Sequence, residues 1–240
     1  MSLTLHVDAA RWRAHLGATI ERMPGLVPVA KGNGYGFGTD RLLAECARLS
    51  DAAGVDMVAV GTYLEAPAFL AHFPGDVMVL EPYRPSIHAG LSYLDARSLV
   101  HTVTSGADLR ELLSHSPAAR VVLEGLTSMN RHGMPVASLR ALLADPSGAE
   151  VVGATLHLPL GSGHVEEVER WVCELPAATR WFLSHVTAAE QEALRNAHPH
   201  NSFRPRVGTA LWLGDEGALS VRAHVLDVRP VADGDRAGYR

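Results

Sequence analysis

The stretch Val29-Ala30-Lys31-Gly32-Asn33-Gly34-Tyr35-Gly36-Phe37-Gly38 carries an apolar run, Leu26 to Ala30, into a lysine and then into a glycine-rich segment. Thr39 stands where a helix cap belongs, ahead of the helical spacing of Leu42, Leu43, Cys46 and Leu49, so the order reads strand, lysine, pliable loop, helix. A lysine leaving a buried strand is partly desolvated, which lowers its pKa and favours a nucleophilic amine. The glycines let backbone approach a ligand closely, and the next helix would turn free N–H groups toward it. Taken alone, the same residues also describe a surface lysine followed by an ordinary turn. The order is not that of a P-loop, because the lysine precedes the glycines and no Gly-Lys-Ser/Thr follows; the nucleotide reading is weak.

Outward from this stretch the chain keeps one rhythm. Strand-like runs at Leu26–Lys31, Met57–Gly61, Val77–Leu80, Leu99–Thr104, Arg120–Leu126, Val151–Leu158, Trp181–Val186 and Val207–Leu213 alternate with helical patterns at 39–51, 62–71, 106–114, 136–144, 164–174 and 187–196. About eight β units alternating with helices predict an α/β fold with a parallel sheet covered by helices. Periodicity does not separate a closed barrel from an open doubly wound sheet. If the sheet closes, functional groups gather at the C-terminal strand ends, and those ends carry Lys31, Glu81, Thr104, Glu124, His157, Ser184, His185 and Arg206. Two segments lie outside the rhythm. Leu3–Val7 alternates like a half-buried strand before Asp8 caps a helix running through Ile20, and Ser220–Arg229 alternates again before a turn at Pro230, Asp233 and Gly234.

Bulk properties narrow the class. The 240 residues suffice for one large core or two small domains, and 47% hydrophobic with 20% charged residues is ordinary for a globular protein. A net charge of −5, with the basic residues scattered, argues against a nucleic-acid or anionic-membrane partner. Nothing approaches the length of a membrane span, and Asp8, Arg11 and Arg13 interrupt any signal-peptide pattern, so a cytoplasmic protein is expected. Cys46 and Cys173 make neither a metal spacing nor a disulfide framework and are expected as buried thiols in a reducing compartment. No metal site is expected.

The segment from Lys31 to Gly38 resembles the cofactor-lysine signature of the alanine racemase family, in which a lysine is followed by Ala-x-Ala-Tyr-Gly-x-Gly. Lys31, Tyr35, Gly36 and Gly38 match, while Gly32 and Gly34 replace alanines and should loosen the loop. Four further segments follow in the family's order. Thr127-Ser128-Met129-Asn130-Arg131-His132-Gly133 resembles the loop Asp-Thr-Gly-Met-Gly-Arg-Leu-Gly, with Leu126 in place of the aspartate and Ser128 in place of a glycine. Gly153–His157 resembles the strand whose histidine packs under the pyridine ring, although Leu158-Pro159-Leu160 departs from the usual polar-aromatic neighbours. Arg204–Leu211 resembles an Arg-x-Gly-Ile segment, and Gly234–Tyr239 resembles the turn bearing a second base, with Arg240 replacing a glycine.

The resemblance implies a (β/α)8 TIM barrel over residues 1–217, of which 1–8 form a flanking strand, and the start of a C-terminal β-domain over 218–240, so that the chain looks cut short. It implies pyridoxal 5'-phosphate held covalently by Lys31 and an amino-acid racemase that moves the Cα proton between Lys31 and Tyr239 of the partner subunit. Alanine is the default substrate, and a homodimer is expected where the C-terminal domain is present. Arg131 would bond the cofactor's phenolic oxygen and the substrate carboxylate, a match for its forked donors, with Glu124 orienting it by a salt bridge. His157 would lie under the ring. Arg206 would face the pyridine nitrogen and keep it unprotonated, which makes a weaker electron sink. Tyr35, Gly208, Thr209 and either Ser184 or Thr187 would hold the phosphate; Thr187 would also cap the next helix, itself an anion site. The alternatives are a pyridoxal-phosphate-binding barrel without turnover, similar to the single-domain homeostasis proteins, and a degenerate barrel with a non-catalytic role.

Overall fold

A computed structural model describes residues 3–161 and 163–236. The chain starts with β1 (Leu3–Val7) and α1 (Ala9–Arg22), whose first turn is capped by Asp8 accepting the Arg11 N–H at 3.1 Å. Then come β2 (Val27–Ala30), the single turn α2 (Gly32–Tyr35), α3 (Thr39–Ala53), β3 (Met57–Val60), α4 (Ala66–His72) and β4 (Asp76–Pro82). The order continues with α5 (Pro85–His88), β5 (Leu99–Val103), α6 (Gly106–His115), β6 (Arg120–Gly125), α7 (Val136–Ala144) and β7 (Glu150–Leu156). It ends with α8 (Val165–Glu174), β8 (Arg180–Ser184), α9 (Ala188–Ala197), β9 (Ser202–Val207), α10 (Thr209–Trp212) and β10 (Leu219–Ala223).

Among the described residues, the eight strands β2 to β9 are parallel and close into a barrel. The closing pair is β2 with β9, where Val27 stands opposite Arg206 and Pro28 opposite Val207. Closure settles what periodicity leaves open. Along each strand side chains alternate between lumen and outer layer. Val27, Val29, Met57, Ala59, Met78, Val100, Val122 and Phe182 fill the lumen, while Ala30, Val58 and Val60 pack outward into a shell that includes Leu42, Leu49 and Phe69. Outside the barrel, β1 and β10 pair antiparallel, from Leu3 opposite Ala223 to Val7 opposite Leu219. No helix among the described residues is long and apolar enough to cross a membrane.

Four expectations are corrected. The last barrel strand is Ser202–Val207, not Val207–Leu213. Two arginines and a proline make the true strand read as polar loop, yet Arg204 is buried, with its guanidinium 5.6 Å from the Phe182 ring centroid and paired with Asp56. The apolar run after it curls into α10 once Gly208 ends the strand. The cap position of α3 is held by Gly38, with no side-chain bond, and Thr39 is the first helical residue. Cys46 is buried, its thiol pushed up to about 12 by that burial, but Cys173 is exposed. Of the alternating segment 220–229, only the part within β10 is paired.

Trp212 ties α10 to the strand that delivers Lys31. Its ring is fully buried, its Nε1–H donates to the Val29 carbonyl at 2.8 Å, and its own carbonyl accepts Nε1–H of Trp12 at 2.8 Å. Truncation would open a cavity and leave the Val29 carbonyl without that donor. Trp212→Ala is expected to lower the unfolding free energy by about 3–5 kcal/mol, and Trp212→Phe by about 1–2 kcal/mol through the lost hydrogen bond; urea unfolding at neutral pH measures both.

Candidate active site

The period-two pattern that fills the lumen also builds its mouth. Lys31 follows Val27 and Val29 in phase, Leu80 follows Met78, Glu124 follows Val122, Ser184 follows Phe182, and Arg206 follows Arg204. A register shift between Val121 and Val122 puts Gly153 opposite Val122 and Thr155 opposite Glu124, so that His157 continues the inward series of β7. One layer of chemistry therefore sits on a floor of aliphatic side chains at the C-terminal end of the barrel, where barrel chemistry is normally found.

A cavity of about 800 Å³ opens there, lined among others by Lys31, Tyr35, His157, Ser184, Arg206 and Gly208. His185, Thr187 and Thr209 also line it. Thus nine of the residues singled out in the sequence share one cavity. Arg131 does not line it, but its charge acts on His157 and on Glu124. Tyr239 lies outside the described residues. A groove of similar size, about 820 Å³, opens at the opposite end of the barrel beside Asp56 and Arg204; it lacks the amine and the imidazoles and lies at the end where barrels carry stability rather than chemistry.

The lysine is exposed, not partly buried as expected. The turn after it is not loose either. Gly32, Asn33, Gly34 and Tyr35 all have φ between 53° and 61°, forming one left-handed turn. The Tyr35 N–H bonds to the Lys31 carbonyl at 3.2 Å and Phe37 N–H to Gly34 O at 2.9 Å. Left-handed backbone costs an ordinary L residue about 1–2 kcal/mol and glycine little, which accounts for glycine at 32 and 34. Winding this way brings the Tyr35 hydroxyl against Gly208, where any Cβ would overlap it. Burial, with the nearby Glu65 charge, pushes the Tyr35 phenol up to about 12, so it keeps its proton as a donor.

The opposite wall is cationic. Arg206 is buried; its Nη2 donates to Leu156 O at 3.1 Å and its Nε has no partner. Burial lowers the guanidinium to about 10 against the charge of Glu124, and it remains cationic at neutral pH. Glu124 is buried, with Oε1 4.0 Å from Arg131 Nη2 and Oε2 unpartnered. That is the salt bridge expected from the sequence, at the limit of ionic reach and without hydrogen-bond geometry. Burial pushes the Glu124 carboxyl up, opposed by Arg206, Arg131 and Arg84. His157 is brought down to about 3 by burial first, then by the charges of Arg206, Arg131, His185 and Lys31, so its ring is neutral at physiological pH.

The exit of β8 separates its two hydroxyls. Ser184 Oγ is buried and accepts the Leu158 N–H at 2.9 Å, leaving its own proton to donate. Thr187 is committed to a capping box with Glu190: its Oγ1 accepts Glu190 N–H at 3.2 Å and contacts Glu190 Oε2 at 2.9 Å. Between them His185 sits at φ 57° with its Nδ1 2.7 Å from the Leu158 carbonyl and its ring edge-to-face with His157 at 5.3 Å. The carbonyl can only accept, so Nδ1 is the donor in this contact. His185 was visible in the sequence as a strand-end residue but had no role; only the fold shows it lining the cavity.

Residues 7–214 match the sequence family described as alanine racemase, N-terminal domain. The chain belongs to this family. Its fold is similar to that of alanine racemase from Bartonella henselae with covalently bound pyridoxal phosphate, at 19% identity and a TM-score of 0.74, covering all of this chain and 71% of that one. It is also similar to alanine racemase from Oenococcus oeni, at 18% identity and a TM-score of 0.66, covering 88% of this chain and 64% of that one. A decarboxylase, SrLDC, in complex with pyridoxal phosphate and cadaverine, has the same fold at 15% identity and a TM-score of 0.66, with 88% and 61% covered. The chain thus spans less than two thirds of the Oenococcus and SrLDC chains. No curated protein sequence matches it.

The neutral state of His157 is directly measurable. NMR titration is expected to find its ring unprotonated at pH 5. Arg206→Met is expected to raise its pKa, but by less than the whole depression, because burial is the larger cause.

Proposed function

We propose that this chain is the barrel of a pyridoxal-phosphate-dependent amino-acid racemase, with alanine as substrate. The observation that carries the reading is the convergence of Lys31, Tyr35, His157, Ser184, Arg206 and Gly208 on one cavity, in a chain whose family is that of the alanine racemase N-terminal domain. The residues present suit the cofactor. The unpartnered Arg206 Nε is a donor in need of an acceptor, which an unprotonated pyridine nitrogen provides. The bare backbone at Gly208, the first N–H groups of α10 and the Ser184 and Tyr35 hydroxyls offer neutral donors to a phosphate.

Lys31 would hold pyridoxal phosphate, and the group would supply a sink for the electron pair left when a Cα proton departs. Everything else is work for the chain itself. Arg206, charged at neutral pH, withholds a proton from the pyridine nitrogen. His157, being neutral, can lie against the ring without adding charge. Tyr35, Ser184, Gly208 and Thr209 hold the phosphate, with Thr187 contributing through the helix end it caps. Arg131 orients the substrate carboxylate, backed by the charge of Glu124. The Lys31 amine would hold and move the proton at Cα on one face; Tyr239 of the partner subunit would serve the other face, so a homodimer is part of the proposal.

The decisive experiment incubates the chain with pyridoxal phosphate and L- or D-alanine in deuterated water. Deuterium should enter Cα of both enantiomers, and Lys31→Ala should lose both the exchange and the visible absorbance of the bound cofactor. Absorbance without exchange would leave a binding barrel and defeat the racemase reading.

A further inference from the structure

The first turn after β3 contains a carboxylate with both oxygens committed to backbone. Glu65 Oε1 accepts the Gly32 N–H at 2.7 Å, and Oε2 accepts the Thr62 N–H at 2.9 Å. The Thr62 bond is half of a capping box, Thr62-Tyr63-Leu64-Glu65, whose usual work is local. The Gly32 bond reaches 33 positions back in sequence to the peptide that follows Lys31. Space is arranged to match: at Gly61, in the gap between the two strand exits, an added Cβ would lie 2.9 Å from Glu65 Oε2 and 3.0 Å from Lys31 Cβ.

The geometry points to Glu65 as the positioning residue of Lys31, a carboxylate that fastens the peptide after the lysine to the exit of β3 and so sets the direction in which the amine leaves the barrel rim. This rests on the reading of Lys31 as the cofactor amine. Glu65 is not a catalytic residue, since its oxygens are occupied by the two N–H groups. Two acceptors are needed, and only a carboxylate has them. The amide of Gln supplies one oxygen and turns an NH₂ toward the second N–H, so it can satisfy Gly32 or Thr62 but not both. Left-handed winding at Gly32 makes this more than a local cap, because the turn starting there carries Tyr35 to Gly208.

The test uses the full chain freed of cofactor. Pyridoxal phosphate is added, capture is followed by visible absorbance, and attachment is located by borohydride trapping. Glu65→Ala, which removes both acceptors, is expected to capture about tenfold more slowly, the effect of one charge-assisted hydrogen bond. Thr62→Ala, which weakens the same capping box without touching the Gly32 bond, should capture at the wild-type rate at a similar loss of melting temperature. Equal slowing by both variants, or none by Glu65→Ala, overturns the proposal. A second arm needs neither cofactor nor variant: in the wild-type chain the Gly32 amide should exchange with deuterium far more slowly than an open peptide, and free exchange there also overturns it. Absorbance that survives Lys31→Ala would instead overturn the reading of Lys31, while the exchange arm still judges the tether.

Discussion

Hydrogen bonding between the first and last barrel strands is the constraint on which the site depends. Val27 and Arg206 are 179 positions apart and become neighbours only when β2 meets β9. The lysine at the end of one strand then shares a cavity with the arginine and the bare glycine at the end of the other. An open sheet of the same strands in the same order would leave the two halves of the cavity at opposite edges. The long-range pairing costs chain entropy that grows only slowly with loop length, and the buried lumen, continuous from Val27 to Phe182, offsets it by removing apolar surface from water.

Once the barrel is closed, the low polarity of its floor governs the charges above it. A guanidinium and a carboxylate lie buried in one layer, with neither Arg206 Nε nor Glu124 Oε2 paired. Groups left in this way are costly in a folded protein, and such cost is tolerated where a ligand is to be met. Burial moves the two in opposite directions, lowering the arginine and raising the glutamate, while each opposes the shift of the other. His157, between several cations, is held neutral. The mouth is thus a place where protonation follows position more than solvent pH.

Much of this was legible in the chain itself. Seven of the eight barrel strands overlap the apolar runs that announce them, because their residues are buried on both faces and read as continuous hydrophobic segments. The eighth was displaced by several residues, since Arg204 and Arg206 point inward, to Asp56 and into the cavity, and a charged strand does not look like one. Lys31, His157, Ser184 and Arg206 could be read as strand-end chemistry. Arg131 does not line that cavity, and its charge acts there on His157 and Glu124. His185 and Glu65 went unassigned for one reason: what matters about each is a partner on another element, the Leu158 carbonyl for one and the Gly32 N–H for the other.

The left-handed turn beside the lysine has one further implication. Two of its four positions are glycine, and asparagine tolerates the third, but Tyr35 sits at φ 53°, where a bulky side chain is at odds with its own backbone. The fold retains it there, with the ring half-buried and the hydroxyl resting on Gly208. Glycine at 35 would relax the chain and strip the cavity of a donor at once. Local backbone strain and the donor it presents to the cavity are thus two sides of one residue, and a change at 35 trades the first against the second.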